Sequence, residues 1–169
     1  IALGERLARA VLAAKGDLRH SSRAPAGAEQ LVGDEDHVLV PAPDGPSGWR
    51  FADGVLTASP GWDSVVTPKS YSDFRLHVEF NVNAAANEAR EKNGNSGVYL
   101  QERYEVQILD SHGVAYDDYQ DWDCGSLYRL RRPDRNVCAP AGEWQTLDIV
   151  FRAARFEGPR GFLVTFRNV

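Results

Sequence analysis

Apolar and polar residues alternate along most of the chain beyond residue 30, which is the pattern of strands with one buried and one wet face. The clearest run is Phe74–Phe80, in which every second residue is apolar. Asp53-Gly54 lies between apolar residues and predicts a hairpin turn. Gly, Pro, Asn and Asp separate the runs, which predicts an antiparallel β-sandwich or barrel. Further strands are predicted at residues 98–100, 104–108, 145–151 and 162–166.

The first residues follow a helical period instead. Their apolar residues recur at helical spacing with charged residues between them, which predicts one amphipathic helix ending near Gly16. These apolar residues are Leu3, Leu7, Val11, Ala14 and Leu18. Residues 21–30 are rich in Ser, Ala, Pro and Gly, as is typical of a linker. The predicted organisation is a helix and linker over residues 1–30 and one sandwich domain over residues 31–169.

Side-chain parity predicts the register of the hairpin between the strands at 98–100 and 104–108. A two-residue turn would place Glu105 opposite Leu100 and would bring a charge into the core. A three-residue turn, Gln101–Arg103, instead gives one apolar and one polar face. The apolar face then carries Val98, Leu100, Tyr104, Val106 and Ile108, and the polar face carries Tyr99, Glu105 and Gln107.

Polar residues at the centres of predicted strands are the candidates for chemistry. Glu79, Glu105 and Gln107 lie where a carboxylate or amide is unfavourable without a reason, and His77 shares the face of Glu79. Such groups bind hydroxyls, and aromatic rings stack on the C–H face of a sugar, so a sugar-binding cleft is one interpretation. A solvated outer face with cross-strand polar pairs is the other, and periodicity leaves both open.

Composition narrows the class of partner. The net charge of −5 argues against a nucleic acid, while neutral polar partners such as carbohydrates remain open. No apolar run approaches the length of about 20 residues that a membrane span needs. The sequence indicates no oligomeric state.

Two cysteines bracket a Pro- and Arg-rich segment. Cys124 and Cys138 are either two buried thiols or a disulfide that closes this loop. Neither a Cys-x-x-Cys motif nor a nearby His pair indicates zinc, so no cofactor is predicted. A divalent metal on the strand carboxylates is chemically possible, although no ligand spacing demands one.

Several segments carry a resemblance to one known family. They are Asp53–Thr57, Asp73–Phe80, Asn95–Gln101, Arg103–Asp110, Gly142–Ile149 and Phe166–Val169. Their order and spacing resemble the 3-keto-disaccharide hydrolase domain from about Val38 to the end of the chain. The resemblance implies a concanavalin-like jelly-roll sandwich, an extracytoplasmic location in bacteria, periplasmic or secreted, and action on glycosides oxidised at C3 of the sugar. An exported protein also favours the Cys124–Cys138 disulfide.

The resemblance implies an elimination mechanism. A ketone at C3 acidifies the hydrogen at C2, so that a carboxylate removes it and the glycosidic oxygen leaves C1; water then adds. On this interpretation Glu79 and Glu105 are base and acid, in an order that the sequence leaves open, and share one cleft with Gln107. The residues expected to bind the substrate are His77, Asn95, Tyr99, Arg103, Gln107 and Tyr128.

Two features depart from the family pattern. The family usually has tens of residues more after Phe156, including an Asp-His pair, and we expect additional chain near Glu157 or Gly161. Glu102 stands where the family often has Gly. The missing Asp-His pair keeps a second function open, that of a non-catalytic, lectin-like carbohydrate-binding module or accessory domain.

Overall fold

The alternating segments form strands in the computed structural model, which describes residues 2–3, 10–13, 27–33, 37–41, 48–58, 64–82, 89–156 and 162–168. Helical structure within these residues is confined to two 3₁₀ turns, Arg90–Lys92 and Tyr116–Asp118. The prediction of an all-β fold for the chain beyond residue 30 is therefore confirmed at the described residues. No helix among the described residues has the length and apolar character to cross a membrane.

The strands follow one another in this order: β1 (Ala2–Leu3), β2 (Ala10–Ala13), β3 (Val40–Pro41), β4 (Arg50–Ala52), β5 (Val55–Thr57), β6 (Val65–Val66), β7 (Asp73–Val82), β8 (Ser96–Leu100), β9 (Tyr104–Ile108), β10 (Trp144–Phe156) and β11 (Phe162–Asn168).

These strands build two antiparallel sheets around one core. One sheet has the order β3-β6-β1-β8-β9 and the other the order β11-β10-β7-β2-β5-β4. Buried residues of both sheets, such as Val78 and Val106, belong to a single hydrophobic cluster. Tyr104 of β9 and Phe151 of β10 meet across it, with ring centroids 6.4 Å apart. Polar residues of either sheet that face away from this core therefore lie on separate outer surfaces.

Two turns form as the sequence predicts. Ala52 pairs with Val55, and Asp53 and Gly54 between them have φ values of 51° and 72°, as a two-residue hairpin requires. Leu100 pairs with Tyr104, which leaves the three-residue turn Gln101–Arg103 between β8 and β9. The predicted parity of this hairpin is thereby confirmed.

The predicted N-terminal helix is wrong at the residues that the structure describes. β1 pairs with β6 and β8, and β2 pairs with β5 and β7, so this segment contributes a strand to each sheet. Backbone pairing with neighbouring strands outweighs the local preference of an Ala- and Leu-rich segment for helix. Residues 14–26 lie outside the described residues, and the domain boundary at residue 30 stays a prediction.

β10 and β11 pair with each other on either side of residues 157–161, where the family usually has tens of residues more. Phe156 lies opposite Phe162, and a register shift separates Arg152 from Arg155 in β10. Residues 157–161 lie outside the described residues, so the expectation of additional chain there stays a prediction.

Candidate functional site

The two carboxylates expected in one cleft lie in different sheets. Glu79 is in β7 beside the core residue Val78, and Glu105 is in β9 beside the core residue Val106. Since neighbouring residues of a strand point to opposite faces, both carboxylates face away from the core, on opposite sides of the molecule. The prediction that Glu79, Glu105 and Gln107 line one cleft is therefore wrong, and so is the pairing of Glu79 with Glu105 as base and acid.

The outer face of β8 and β9, here called the Glu105 face, holds the carboxylate by both oxygens. Tyr99 lies directly opposite Glu105, and its hydroxyl donates to Oε2 of Glu105 at 2.8 Å. Gln107 is buried; with its amide nitrogen toward the neighbouring acceptors, it donates to Oε1 of Glu105 at 3.3 Å and to the Ser96 carbonyl at 3.2 Å. In the opposite orientation of this amide, its nitrogen donates instead to Oδ1 of Asn95 at 3.3 Å. Donors on both oxygens orient the carboxylate.

A tyrosine lies on each side of Glu105 across the sheet. The Tyr128 backbone N–H donates to the Glu105 carbonyl at 2.9 Å, and Leu127 forms a bridge with Val106. This register places Tyr128 directly across from Glu105, on the strand edge opposite Tyr99. A carboxylate between two aromatic residues can bind a sugar, because the acid accepts from hydroxyls while a ring packs on C–H groups.

Two of the predicted substrate-binding residues lie apart from this face. His77 is on the outer face of β7 with Glu79, and Arg103 is exposed in the turn after β8. The residues that the structure does bring together around Glu105 are Asn95, Tyr99, Gln107 and Tyr128.

Gly97 makes room for the Glu105 carboxylate. It lies opposite Gln107, and a Cβ at this position would lie 2.7 Å from Cγ of Glu105 and closer still to its carboxylate. A contact that short cannot persist, so the Glu105 side chain would have to turn away. Any residue larger than glycine at position 97 therefore forces the Glu105 carboxylate to move.

We expect Gly97→Ala to lower, by about 100-fold, the rate of any reaction in which the Glu105 carboxylate takes part, because a displaced carboxylate loses its alignment with a bound molecule. Since a flexible side chain yields, its free energy of unfolding falls by only about 1–3 kcal/mol. Gly113→Ala is the matched control, because its Cβ meets nothing within 4 Å while its φ of 74° strains the backbone. Gly113→Ala should lose stability and keep its activity. Urea denaturation measures the stability of both variants, and initial rates measure their activity. Full activity in Gly97→Ala would contradict the placement of Glu105.

A fully buried carboxylate, paired with a partly exposed guanidinium, anchors the segment that carries Tyr128. Asp123 is 0% exposed, pairs with Arg90, and accepts hydrogen bonds from Ser111 Oγ at 2.9 Å and from the Gln120 N–H at 2.7 Å. The sequence does not distinguish this carboxylate, because other aspartates surround it in the chain and no periodicity separates it from them. Its importance follows from burial alone.

The outer face of β7 and β10, here called the Glu79 face, holds a second polar cluster. His77 pairs directly with Asp148; its Nδ1 lies 2.7 Å from Oδ1 of Asp148, and its Nε2 lies 3.6 Å from Oε1 of Glu79. Partial burial acts to lower the pKa of His77, but the hydrogen bond and charge of Asp148 and those of Glu79 outweigh it and raise the pKa above its usual value of 6.5.

The raised pKa of His77 predicts a pH-dependent contribution to stability. Protonation in the folded state is favoured, so the contribution is complete below about pH 6.5 and is lost as pH rises through the raised folded value. Because the His77 side chain is 38% exposed, solvent screening limits the effect to below about 1 kcal/mol. We expect the unfolding free energy of wild type to exceed that of His77→Gln by a larger amount at pH 5.5 than at pH 8.5. Asp148→Asn should abolish most of this pH dependence. If the unfolding free energy of wild type exceeded that of His77→Gln by more at pH 8.5 than at pH 5.5, the prediction would be wrong.

The two cysteines are adjacent and free in this structure. A hydrogen bond joins the thiols of Cys124 and Cys138, and the Tyr119 hydroxyl lies 3.5 Å from Sγ of Cys138. The bond with Cys124 lowers the pKa of the Cys138 thiol to about 7. The predicted disulfide is thus not formed here, and its formation under oxidising conditions stays a prediction.

The part of the chain that the structure describes contains no group of three or more His, Cys, Asp or Glu side chains that could hold a metal ion. A divalent metal that joins Glu105 through further ligands stays a hypothesis, which a chelator tests.

Comparison with known proteins connects this geometry to a family. Residues 37–168 match the family model described as a 3-keto-alpha-glucoside-1,2-lyase-like domain. A solved structure from Parabacteroides distasonis, provisionally assigned as a glycosyl hydrolase, is similar with a TM-score of 0.71 and 29% identity over 85% of this chain. The chain spans 60% of the length of that protein. No curated protein matches the chain.

Proposed function

Because the chain belongs to the 3-keto-alpha-glucoside-1,2-lyase-like domain family, we propose that it cleaves glycosides whose sugar is oxidised at C3, with Glu105 as the base. The family resemblance predicted from the sequence is confirmed by the match over residues 37–168. The observation that carries the proposal is the Glu105 carboxylate, which Tyr99 and Gln107 hold on a polar face between two tyrosines.

The proposed reaction begins at C2 of the sugar. The carboxylate of Glu105 takes the proton from C2, and the C–H electron pair becomes the C2=C3 bond of an enolate whose negative charge lies on the C3 oxygen. As the enolate collapses, a C1=C2 bond forms and the bond between C1 and the glycosidic oxygen breaks; the departing oxygen takes up one proton, which leaves an enone and the free alcohol. Water adds across the enone to complete a net hydrolysis. Tyr128 lies directly across from the base and Asn95 lies against Gln107, and in this proposal they bind the ring and the hydroxyls of the sugar.

The proposal extends to the setting of the domain. We propose that the two sheets are the layers of a concanavalin-like jelly roll and that the protein acts outside the cytoplasm, as the resemblance implies. We also propose a boundary between residues 1–30 and the domain of residues 31–169, although β1 lies in one sheet and β2 in the other.

One assay tests the reaction. Purified protein is incubated with a 3-keto-disaccharide and with the same disaccharide unoxidised, and released sugars are followed by NMR. We expect cleavage of the oxidised substrate alone, because only a C3 ketone acidifies C2–H. Cleavage of both disaccharides at similar rates would overturn the elimination mechanism. A parallel series with EDTA, followed by addition of single divalent ions, shows whether a metal takes part.

Separation of Glu79 from Glu105 favours one alternative, a carbohydrate-binding module, because a binding face needs no second catalytic acid. Calorimetry with the same two disaccharides distinguishes the functions. Binding without turnover of the 3-keto compound would support the module and reject the enzyme.

A further inference from the structure

Because Glu79 and Glu105 lie in different sheets, the proposed elimination has no assigned proton donor for the departing oxygen. An alkoxide is a poor leaving group, so a sugar departs slowly unless an acid protonates its oxygen. Glu79 faces away from the core on the opposite sheet and cannot reach a substrate at Glu105. The donor must therefore be sought among the groups that lie against Glu105.

Among the residues that the structure describes, the side chains of Tyr99 and Gln107 donate hydrogen bonds to the Glu105 carboxylate. An amide N–H is far too weak an acid to give up its proton, whereas a phenol has a pKa of about 10 and is a common proton donor in enzymes. The Tyr99 hydroxyl lies 2.8 Å from Oε2 of Glu105, a distance over which a proton can pass between the two groups. Strand pairing fixes this contact, since Tyr99 and Glu105 lie directly opposite.

We propose that Tyr99 is the catalytic acid and that it is recharged by Glu105. This inference rests on the proposed function. Glu105 first takes the C2 proton; as the C1–O bond breaks, Tyr99 gives its proton to the leaving oxygen. The phenolate of Tyr99 then takes the proton from Glu105, which restores both groups. One proton has moved from C2 to the departing alcohol, and no redox partner is needed.

Tyr99→Phe separates this role from a structural one, because the need for an acid depends on the leaving group. With 4-nitrophenyl 3-keto-glucoside, whose phenolate leaves without help, we expect the rate to stay within about 5-fold of wild type. With a 3-keto-disaccharide, the rate should fall by about 10²–10⁴-fold, the range found for general acids. Across a series of 3-keto-glycosides whose leaving groups differ in pKa, the Brønsted slope should accordingly be steeper for Tyr99→Phe than for wild type.

A second readout detects the enolate directly. In D₂O, Tyr99→Phe should incorporate deuterium at C2 of the recovered 3-keto-disaccharide faster than it releases the sugar, since Glu105 still removes the proton. Glu105→Gln and buffer alone set the background for this exchange. Tyr71→Phe is the matched control, because it removes another phenol that donates to a carboxylate, here to Glu29 at 2.9 Å, outside the Glu105 face.

The outcomes distinguish the two proposals. Equal losses on both leaving groups, or no loss on the disaccharide, would overturn the role of Tyr99 while the elimination itself stands. If wild-type protein neither cleaves either 3-keto substrate nor exchanges C2–H, the proposed function fails first.

Discussion

We expect Glu105→Gln to lower turnover of a 3-keto-disaccharide by about 10³-fold or more, because the amide that would replace the proposed base cannot accept the C2 proton. The substitution preserves size, and its carbonyl oxygen can still accept the bond from Tyr99, so the fold and the sugar site should stay intact. Binding of the substrate, measured by calorimetry, is therefore expected to change little while the rate constant collapses. Rate and affinity together separate a lost base from a disrupted site.

The control for this variant is Glu79→Gln. Its carboxylate lies on the Glu79 face, beside His77 at 3.6 Å, and is in the other sheet. We expect its activity to stay within about 2-fold of wild type, since uninvolved surface changes have small effects. Loss of activity in Glu79→Gln comparable to that in Glu105→Gln would show that the Glu105 face is not the whole site.

Arg90→Ala is expected to destabilise the protein by about 3–5 kcal/mol, because it leaves the fully buried Asp123 carboxylate without its charged partner. The guanidinium of Arg90 also lies 4.7 Å from the centroid of the Trp122 ring, a contact that the variant loses. Urea denaturation measures the change through the midpoint and slope of a two-state curve. Since Asp123 anchors the segment that carries Tyr128, catalytic activity should also become more sensitive to temperature.

Two further variants identify the cause. Arg131→Ala removes an exposed pair with Asp134, at 3.1 Å, and should cost only about 0–1 kcal/mol. Asp123→Asn placed in the Arg90→Ala background should recover part of the lost stability, because it removes the unpaired charge. If the double variant is no more stable than Arg90→Ala, lost packing and not an uncompensated carboxylate explains the effect.

The hairpin of β8 and β9 could be derived from the sequence because its information is local. Its alternation and the three-residue turn Gln101–Arg103 determine which residues share a face. Tyr99, Glu105 and Gln107 were therefore grouped correctly. The contacts made by Asp123 with Arg90 and Ser111 had no such signal, since nothing in the chain's periodicity links these positions.

The sequence by itself determined most of the strands beyond residue 50, two turns and the parity of the β8–β9 hairpin, because each depends on neighbouring residues. Only the tertiary structure decided which sheet a strand joins. β7 pairs with β10, where His77 meets Asp148, whereas β8 pairs with β9, so Glu79 and Glu105 are separated by the core. The N-terminal segment was decided in the same way, because pairing of β1 and β2 with distant strands overrode its helical period. Periodicity reports whether a side chain faces away from a core, but long-range pairing selects the surface that it reaches.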